Sequence, residues 1–240
     1  MIGVLDSGEG GMNAARYLEQ KTEESIVFFP DRKNAPYGTK TRDELISLLS
    51  GGIDRLLALG ASRVLIACCT AGTVYPYLDE KRKTLSFPLI RPTARAAVKS
   101  TRSGKIALIA TEATVRSHAF SEEIKKAAGE LNRDCRLLEI KAQPLVSMVE
   151  RRATGIKISE GDEDLIRKIL LPLKDFGADT LILGCTHFPS LEDRLAPIAK
   201  ELGIISLISS VKEGTDAFLR GYRNADKIKR KIFLSMRGRI

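Results

Sequence analysis

The chain has 240 residues, enough for one large or two modest cores, and its 43% hydrophobic content with only 5% aromatics and no Trp suits aliphatic α/β strands. No apolar run approaches the roughly 20 residues of a membrane span. The start at Met1 lacks a basic leader, so a cytoplasmic protein with reduced thiols is expected. The net charge of +9 leaves nucleic acid or a small anion open as a partner.

Ile2-Gly3-Val4-Leu5 reads as a short buried strand. It runs into the turn Asp6-Ser7-Gly8-Glu9-Gly10-Gly11, then a helix of about Asn13 to Lys21. Such a turn can cradle an anion on backbone N–H groups, but it lacks the GxGxxG spacing and a P-loop lysine. Asp6 reads either as a helix N-cap or as an acid/base or ammonium-binding group. Ser25 to Phe29 is a second strand, followed by a structured loop from Pro30 to Lys40.

Thr41 to Leu59 is predicted as a helix. Thr41 caps it, Glu44 stands at capping-box distance, and Gly51-Gly52 weakens its middle. Residues 73 to 88 hold a short helical patch. Leu89-Ile90 reads as a strand broken by Arg91-Pro92-Thr93, with Thr93 capping a helix through Val98. Lys105 to Ala110 is a strand resembling the opening one, and Thr111 opens a helix that passes Phe120 and Ile124. Cys135 to Ile140 is a strand, Pro144 to Glu150 starts a helix, and Glu163 to Phe176 is an amphipathic helix. After Pro189 come a helix over about Leu191 to Leu202, a strand from Ile204 to Ile208, and a helix from Lys212 to Tyr222. His118 falls in a predicted helix and reads as surface or core. From Arg223 to Arg239 seven basic residues face one acid, Asp226, for a net of 7 − 1 = +6. With Phe233 as its one aromatic, this tail offers no stacking platform, and a solvated terminus is expected over a nucleic-acid site.

One unit occurs twice. Gly60-Ala61, two polar residues, Val64-Leu65-Ile66, Ala67 and Cys68 match Gly177-Ala178, two polar residues, Leu181-Ile182-Leu183, Gly184 and Cys185. Each copy reads as a helix C-cap glycine, a buried parallel strand and a thiol at the strand's carboxyl end, where open α/β sheets bind ligands. Strands alternating with helices predict two doubly wound parallel-sheet halves. The four cysteines, Cys68, Cys69, Cys135 and Cys185, form no CxxC pair, so no metal site is expected.

A buried cysteine at a strand end is ordinarily a small hydrophobe. A matched pair across a cleft suits one acid and one base exchanging a proton at a stereocentre, as thiol and thiolate tuned near neutral pH. His187, two residues after Cys185, shares its face if the strand continues. A Cys-His hydrolase using Cys185 or Cys68 needs one thiol and leaves the duplication unexplained.

These residues, taken in order, resemble the glutamate racemases of the cofactor-independent aspartate/glutamate racemase superfamily. The resemblance runs from Ile2 to about Asp216. It is carried by Gly3-Val4-Leu5-Asp6-Ser7-Gly8 with Gly10-Gly11, by Pro36-Tyr37-Gly38-Thr39-Lys40, and by Ile66-Ala67-Cys68 with Thr70-Ala71. Thr111-Glu112-Ala113-Thr114-Val115, Leu145-Val146 with Val149-Glu150, and Leu183-Gly184-Cys185-Thr186-His187 complete it.

The resemblance implies an α/β protein of two pseudo-symmetric halves, residues 1–93 with 207–240 and residues 94–206, with the active site between them. It implies interconversion of L- and D-glutamate without pyridoxal phosphate or metal, by a cytoplasmic homodimer supplying D-glutamate to peptidoglycan. Cys68 would act on the D and Cys185 on the L enantiomer, assisted by Asp6 and His187, with Asp31 and Glu150 as further acids. Ser7, Tyr37, Gly38, Cys69, Thr70, Thr114 and Thr186 would hold the substrate. Where the family has Asn after the first catalytic Cys, this chain has Cys69, a weak hydrogen-bonding group. Gly72 stands for a frequent Ser. The alternatives are a racemase of aspartate or another acidic amino acid, or a diverged binding protein without catalysis.

Overall fold

The computed structural model describes residues 1–237, with side chains through Arg223. Four parallel strands, β1 (Ile2–Asp6), β2 (Ile26–Pro30), β3 (Arg63–Ile66) and β4 (Ser86–Pro88), form one sheet in the order β2-β1-β3-β4. Four more, β5 (Lys105–Ala110), β6 (Arg136–Lys141), β7 (Thr180–Leu183) and β8 (Ser206–Ser209), form a second parallel sheet in the order β6-β5-β7-β8. The order is the same in both, so the duplication extends from the cysteine units to whole sheets.

The two glycines of the repeat do the same work. Gly60 (φ 94°) and Gly177 (φ 69°) take left-handed backbone after a helix. The next N–H, of Ala61 or Ala178, returns to the carbonyl five residues back, Leu56 or Leu173. That is the Schellman closure, which L side chains resist.

Helices follow the strands: α1 (Gly11–Glu19), α2 (Arg42–Ala58), α3 (Cys69–Gly72), α4 (Glu80–Leu85), α5 (Ile90–Ser100), α6 (Glu112–Ser117) and α7 (Ala119–Glu130). Then come α8 (Gln143–Ala153), α9 (Glu160–Leu170), α10 (Pro172–Phe176), α11 (Glu192–Glu201) and α12 (Ser210–Arg237). Alternation along the strands assigns each to two cores. Ile2 and Val4 of β1, and Ile106 and Leu108 of β5, face one continuous core filled by α1, α5, α7 and α12. Leu5 faces a second core under α2, and Ile109 a third under α8, α9 and α11. The two sheets therefore share a middle layer.

Several expected boundaries shift for local reasons. The strand placed at Leu89-Ile90 is β4, three residues earlier; Ile90 already opens α5. Pro92 is tolerated there because first-turn N–H groups have no intrahelical partner. Thr93 is no cap: its hydroxyl donates to Leu89 O at 2.6 Å inside the helix. The helix expected to run from Thr111 past Ile124 is broken at His118, which takes φ 54° between α6 and α7 and reaches Glu139. The helix expected over Glu163 to Phe176 is two, α9 and α10, divided before Pro172. The boundaries expected at 93 and 207 fall inside α5 and β8, and β8 pairs with β7 of the second sheet. Of the basic tail, Arg223 donates to Lys21 O at 2.6 Å; its other side chains lie outside the described residues.

The capping box of α2 is present as expected, with Thr41 Oγ1 accepting Glu44 N–H and the Glu44 carboxylate accepting Thr41 N–H. Its two central glycines differ. A Cβ on exposed Gly51 meets nothing, whereas one on buried Gly52 would overlap Leu5 Cδ1. Gly51→Ala is expected to raise stability by about 0.5–1 kcal/mol, the helix-propensity difference. Gly52→Ala is expected to lower it by about 1–3 kcal/mol through overpacking. Urea unfolding midpoints of the two variants check both signs.

Candidate active site

Both repeated thiols stand just beyond the sheets' carboxyl ends. Each strand is extended by one bond to its neighbour, Ala67 N–H to Leu5 O at 2.8 Å and Gly184 N–H to Ile109 O at 2.9 Å. One residue on, Cys68 and Cys185 turn into the same cleft. Cys68 opens the single-turn helix α3. Its Sγ receives the Ala71 N–H at 3.5 Å and lies 3.5 Å from Ser7 Oγ. Beyond β7 the chain does not stay extended as the His187 reading assumed. His187 is helical (φ −75°, ψ −35°), and this turn sets its Nδ1 3.6 Å from Cys185 Sγ.

Asp6 is fully buried and does not line the cleft. It is not the N-cap residue of α1, a position that Gly10 holds, but it accepts the Gly8 N–H at 2.8 Å. On its other oxygen it accepts the Thr186 hydroxyl at 3.0 Å, a bond from the first sheet's loop to the second's. Asn13 adds to this junction, donating through Nδ2 to Thr186 O at 2.8 Å and to Ser190 Oγ at 3.2 Å. Gly10 permits the approach: a Cβ there would stand 2.5 Å from Thr186 Oγ1 and 2.6 Å from His187 Nδ1. The glycine-rich turn is thus a packing device between halves.

A second junction joins three hydroxyls. Thr70 Oγ1 lies 3.0 Å from Thr111 Oγ1 and 3.2 Å from Thr114 Oγ1, and the last two are 2.8 Å apart. A closed ring lets each hydroxyl donate once and accept once. Thr111 lines the cleft, while Thr114 is fully buried behind it. On a third wall, Tyr37 donates to Asp31 Oδ2 at 2.8 Å, and Asn34 Nδ2 donates to both Asp31 oxygens at 2.9 Å. Asp31 therefore positions Tyr37 and does not reach the cleft itself. Ser7, Gly38, Cys69 and Glu150 do line it. Glu150 Oε1 is 3.8 Å from His187 Nε2.

The electrostatics depart from a thiol–thiolate pair. Burial pushes Cys68 up to about 11, with the Asp6 carboxyl adding to the rise against the Ser7 and Ala71 hydrogen bonds. Burial likewise raises Cys69 to about 12 and Cys185 well above the usual thiol range. His187 is held below its usual value by burial, and Asp6 is raised to about 6 for the same reason. Among the described residues no lysine or arginine lines the cleft, so no such side chain there offsets the loss of hydration.

The sequence reading missed Gln143 and Asn13 and did not place Thr111 in the site. Thr111 was legible as the third threonine of its motif. Asn13 looked like an ordinary helix-start residue, and Gln143 is one polar residue before Pro144.

Residues 20–217 match the family model for Asp/Glu/Hydantoin racemase. The chain is 35% identical over 216 residues to a glutamate racemase of Corynebacterium kroppenstedtii, covering 88% of this chain and 71% of that one. A crystal structure of a glutamate racemase isoform from Bacillus anthracis superposes with a TM-score of 0.82 at 30% identity, over 94% of this chain and 82% of that one. The structure of the Francisella tularensis glutamate racemase with D-glutamate shares the fold, with a TM-score of 0.82 at 24% identity over 94% and 81% of the two chains.

Neutral Asp6 contributes stability that is complete below its ordinary value of 3.8 and lost as pH rises through about 6. Wild type is therefore expected to lose stability relative to Asp6→Asn between about pH 4 and pH 7, read from urea midpoints. The same substitution removes a charge that raises Cys68, so the pH profile of Cys68 alkylation by iodoacetamide should move to lower pH. An unmoved profile would show that Asp6 does not act on this thiol.

Proposed function

The chain belongs to the Asp/Glu/hydantoin racemase family, and on that premise we propose that it interconverts L- and D-glutamate by proton transfer between two thiols. The observation that carries the reading is that Cys68 and Cys185, presented by two copies of one unit, line a single cleft. One thiolate takes the α-proton and becomes a thiol; the opposite thiol gives its proton to the other face of the carbon and becomes a thiolate. Each turnover thus inverts the centre and exchanges which sulfur carries the proton.

Burial disfavours the thiolate form of both cysteines, and the substrate brings a cation. Its α-ammonium, brought between the sulfurs, favours the thiolate form that burial disfavours. His187 is suited to take the proton from Cys185. Glu150 at 3.8 Å favours hydrogen on Nε2, which leaves the Nδ1 lone pair toward Sγ. On the other side the Ser7 hydroxyl links the Asp6 carboxyl to Cys68. Negative charge that develops on the α-carboxylate needs hydrogen-bond donors, and backbone N–H groups are suited to supply them, since no lysine or arginine among the described residues lines the cleft.

Within this reading the two halves act as equivalent proton donors and acceptors, the substrate is a small acidic amino acid, and no organic cofactor or metal takes part. The protein works as a cytoplasmic homodimer, and D-glutamate serves peptidoglycan synthesis. The glutamate assignment is favoured over aspartate by the curated relatives, which are glutamate racemases at 33–38% identity.

Incubation with L-glutamate in deuterium oxide should incorporate deuterium at the α-carbon and erase optical rotation. Cys68→Ser and Cys185→Ser should each lower kcat by roughly 10²–10⁴-fold, the scale of general acid–base catalysis. Cys135→Ser, at a half-buried thiol outside the cleft, should leave kcat within about two-fold of wild type. No exchange by wild type with any acidic amino acid would end the reading.

A further inference from the structure

Most hydroxyls of the cleft are already engaged with protein partners. Thr70 and Thr111 belong to the threonine ring, Tyr37 donates to Asp31, Thr186 donates to Asp6, and Ser7 contacts Cys68. Gln143 differs. Its half-buried side chain lines the cleft and has no hydrogen-bond partner among the described residues. A primary amide carries two N–H donors, the one uncharged side-chain group that can grip a carboxylate through both.

Position along α8 says which carboxylate. Gln143, Val146 and Glu150 all line the cleft, at i, i+3 and i+7 on one helix face. Glu150 marks the end beside His187 and Cys185. Gln143 lies about 10 Å from it along the axis at 1.5 Å per residue. There it faces Gly38, where an added Cβ would stand 3.3 Å from Gln143 Oε1. Apolar Val146 lies between them. A substrate whose α-carbon sits at the thiols places its methylenes along Val146 and its distal carboxylate toward Gln143. Gly38 keeps the opposite wall clear at that point.

We propose that Gln143 binds the distal carboxylate of the acidic amino acid and sets the chain length the site prefers. This rests on the racemase reading given above. A glutamate side chain reaches the amide; an aspartate side chain, one methylene shorter, does not reach it while its α-carbon stays between the sulfurs. Gln143 takes no part in proton transfer, so it acts on KM and on substrate choice.

The test is α-deuterium exchange and racemisation of glutamate and aspartate by wild type, Gln143→Leu and Gln143→Asn. Leu keeps most of the volume without donors, and Asn keeps the amide but withdraws it by one methylene. Loss of a hydrogen bond to a charged group corresponds to roughly 10–100-fold. Gln143→Leu is therefore expected to raise KM for glutamate by about that factor, with kcat changed less than about three-fold and aspartate kinetics little altered. Gln143→Asn should fall between wild type and Leu on glutamate and narrow the preference over aspartate. Wild-type exchange of glutamate with an unchanged glutamate-to-aspartate ratio in both variants would overturn the subsite and leave the racemase reading standing. A drop in kcat alone, for both substrates equally, would also overturn it, since that marks disturbed packing. Wild type inert toward glutamate would overturn the reading and the subsite together.

Discussion

The Thr186 hydroxyl on the Asp6 carboxyl is the contact on which the site depends. It joins the loop after β1 to the loop after β7, and it is buried. A carboxyl group taken out of water needs hydrogen bonds to persist there. Asp6 has them from Gly8 and Thr186, and the absence of a side chain at Gly10 lets the second donor come close. Through Thr186 the bond fixes a residue flanked by Cys185 and His187. Through Asp6 it fixes the residue before Ser7, the neighbour of Cys68. One interaction therefore sets the position of both thiols' partners.

Burial explains why these thiols are less acidic than a free cysteine. A thiol loses acidity when its anion would lack solvation, and a nearby carboxyl makes the loss greater. A site with resident lysines would hold thiolates at rest, open to oxidation and alkylation. In the racemase reading proposed above, the zwitterionic substrate brings the positive charge to the cleft. On the same reading, the reactive form of sulfur is tied to the presence of substrate.

Much of the fold could be read from residue order. The repeat of Gly60-Ala61 to Cys68 in Gly177-Ala178 to Cys185 revealed two equivalent units, because a left-handed glycine, a buried strand and a thiol each leave a local mark. Local marks also betrayed the capping box at Thr41. The errors arose where two local signals competed. Pro92 looked like a break, yet it sits in the first turn of α5, where proline fits. His118 carried no glycine to announce the left-handed joint between α6 and α7. In the site, Cys68, Cys185, Ser7 and His187 were legible from their motifs. Asn13 and Gln143 were not, because the neighbours that bring them to the site lie more than a hundred positions away, Thr186 for Asn13 and Gly38 for Gln143.

The middle layer shared by the two sheets bears on how a ligand gets in and out. Ile2, Val4, Ile106 and Leu108 pack into one continuous apolar body with α1, α5, α7 and α12. Prising the sheets apart would wet that body, at about 25 cal/mol for each Å² exposed. Traffic is cheaper at the rim, where the 3₁₀ turn at Tyr37–Thr39 confronts Gln143 of α8 across the cleft. Clamshell breathing, common where two lobes meet over little more than a ligand, is thus the costly route in this architecture.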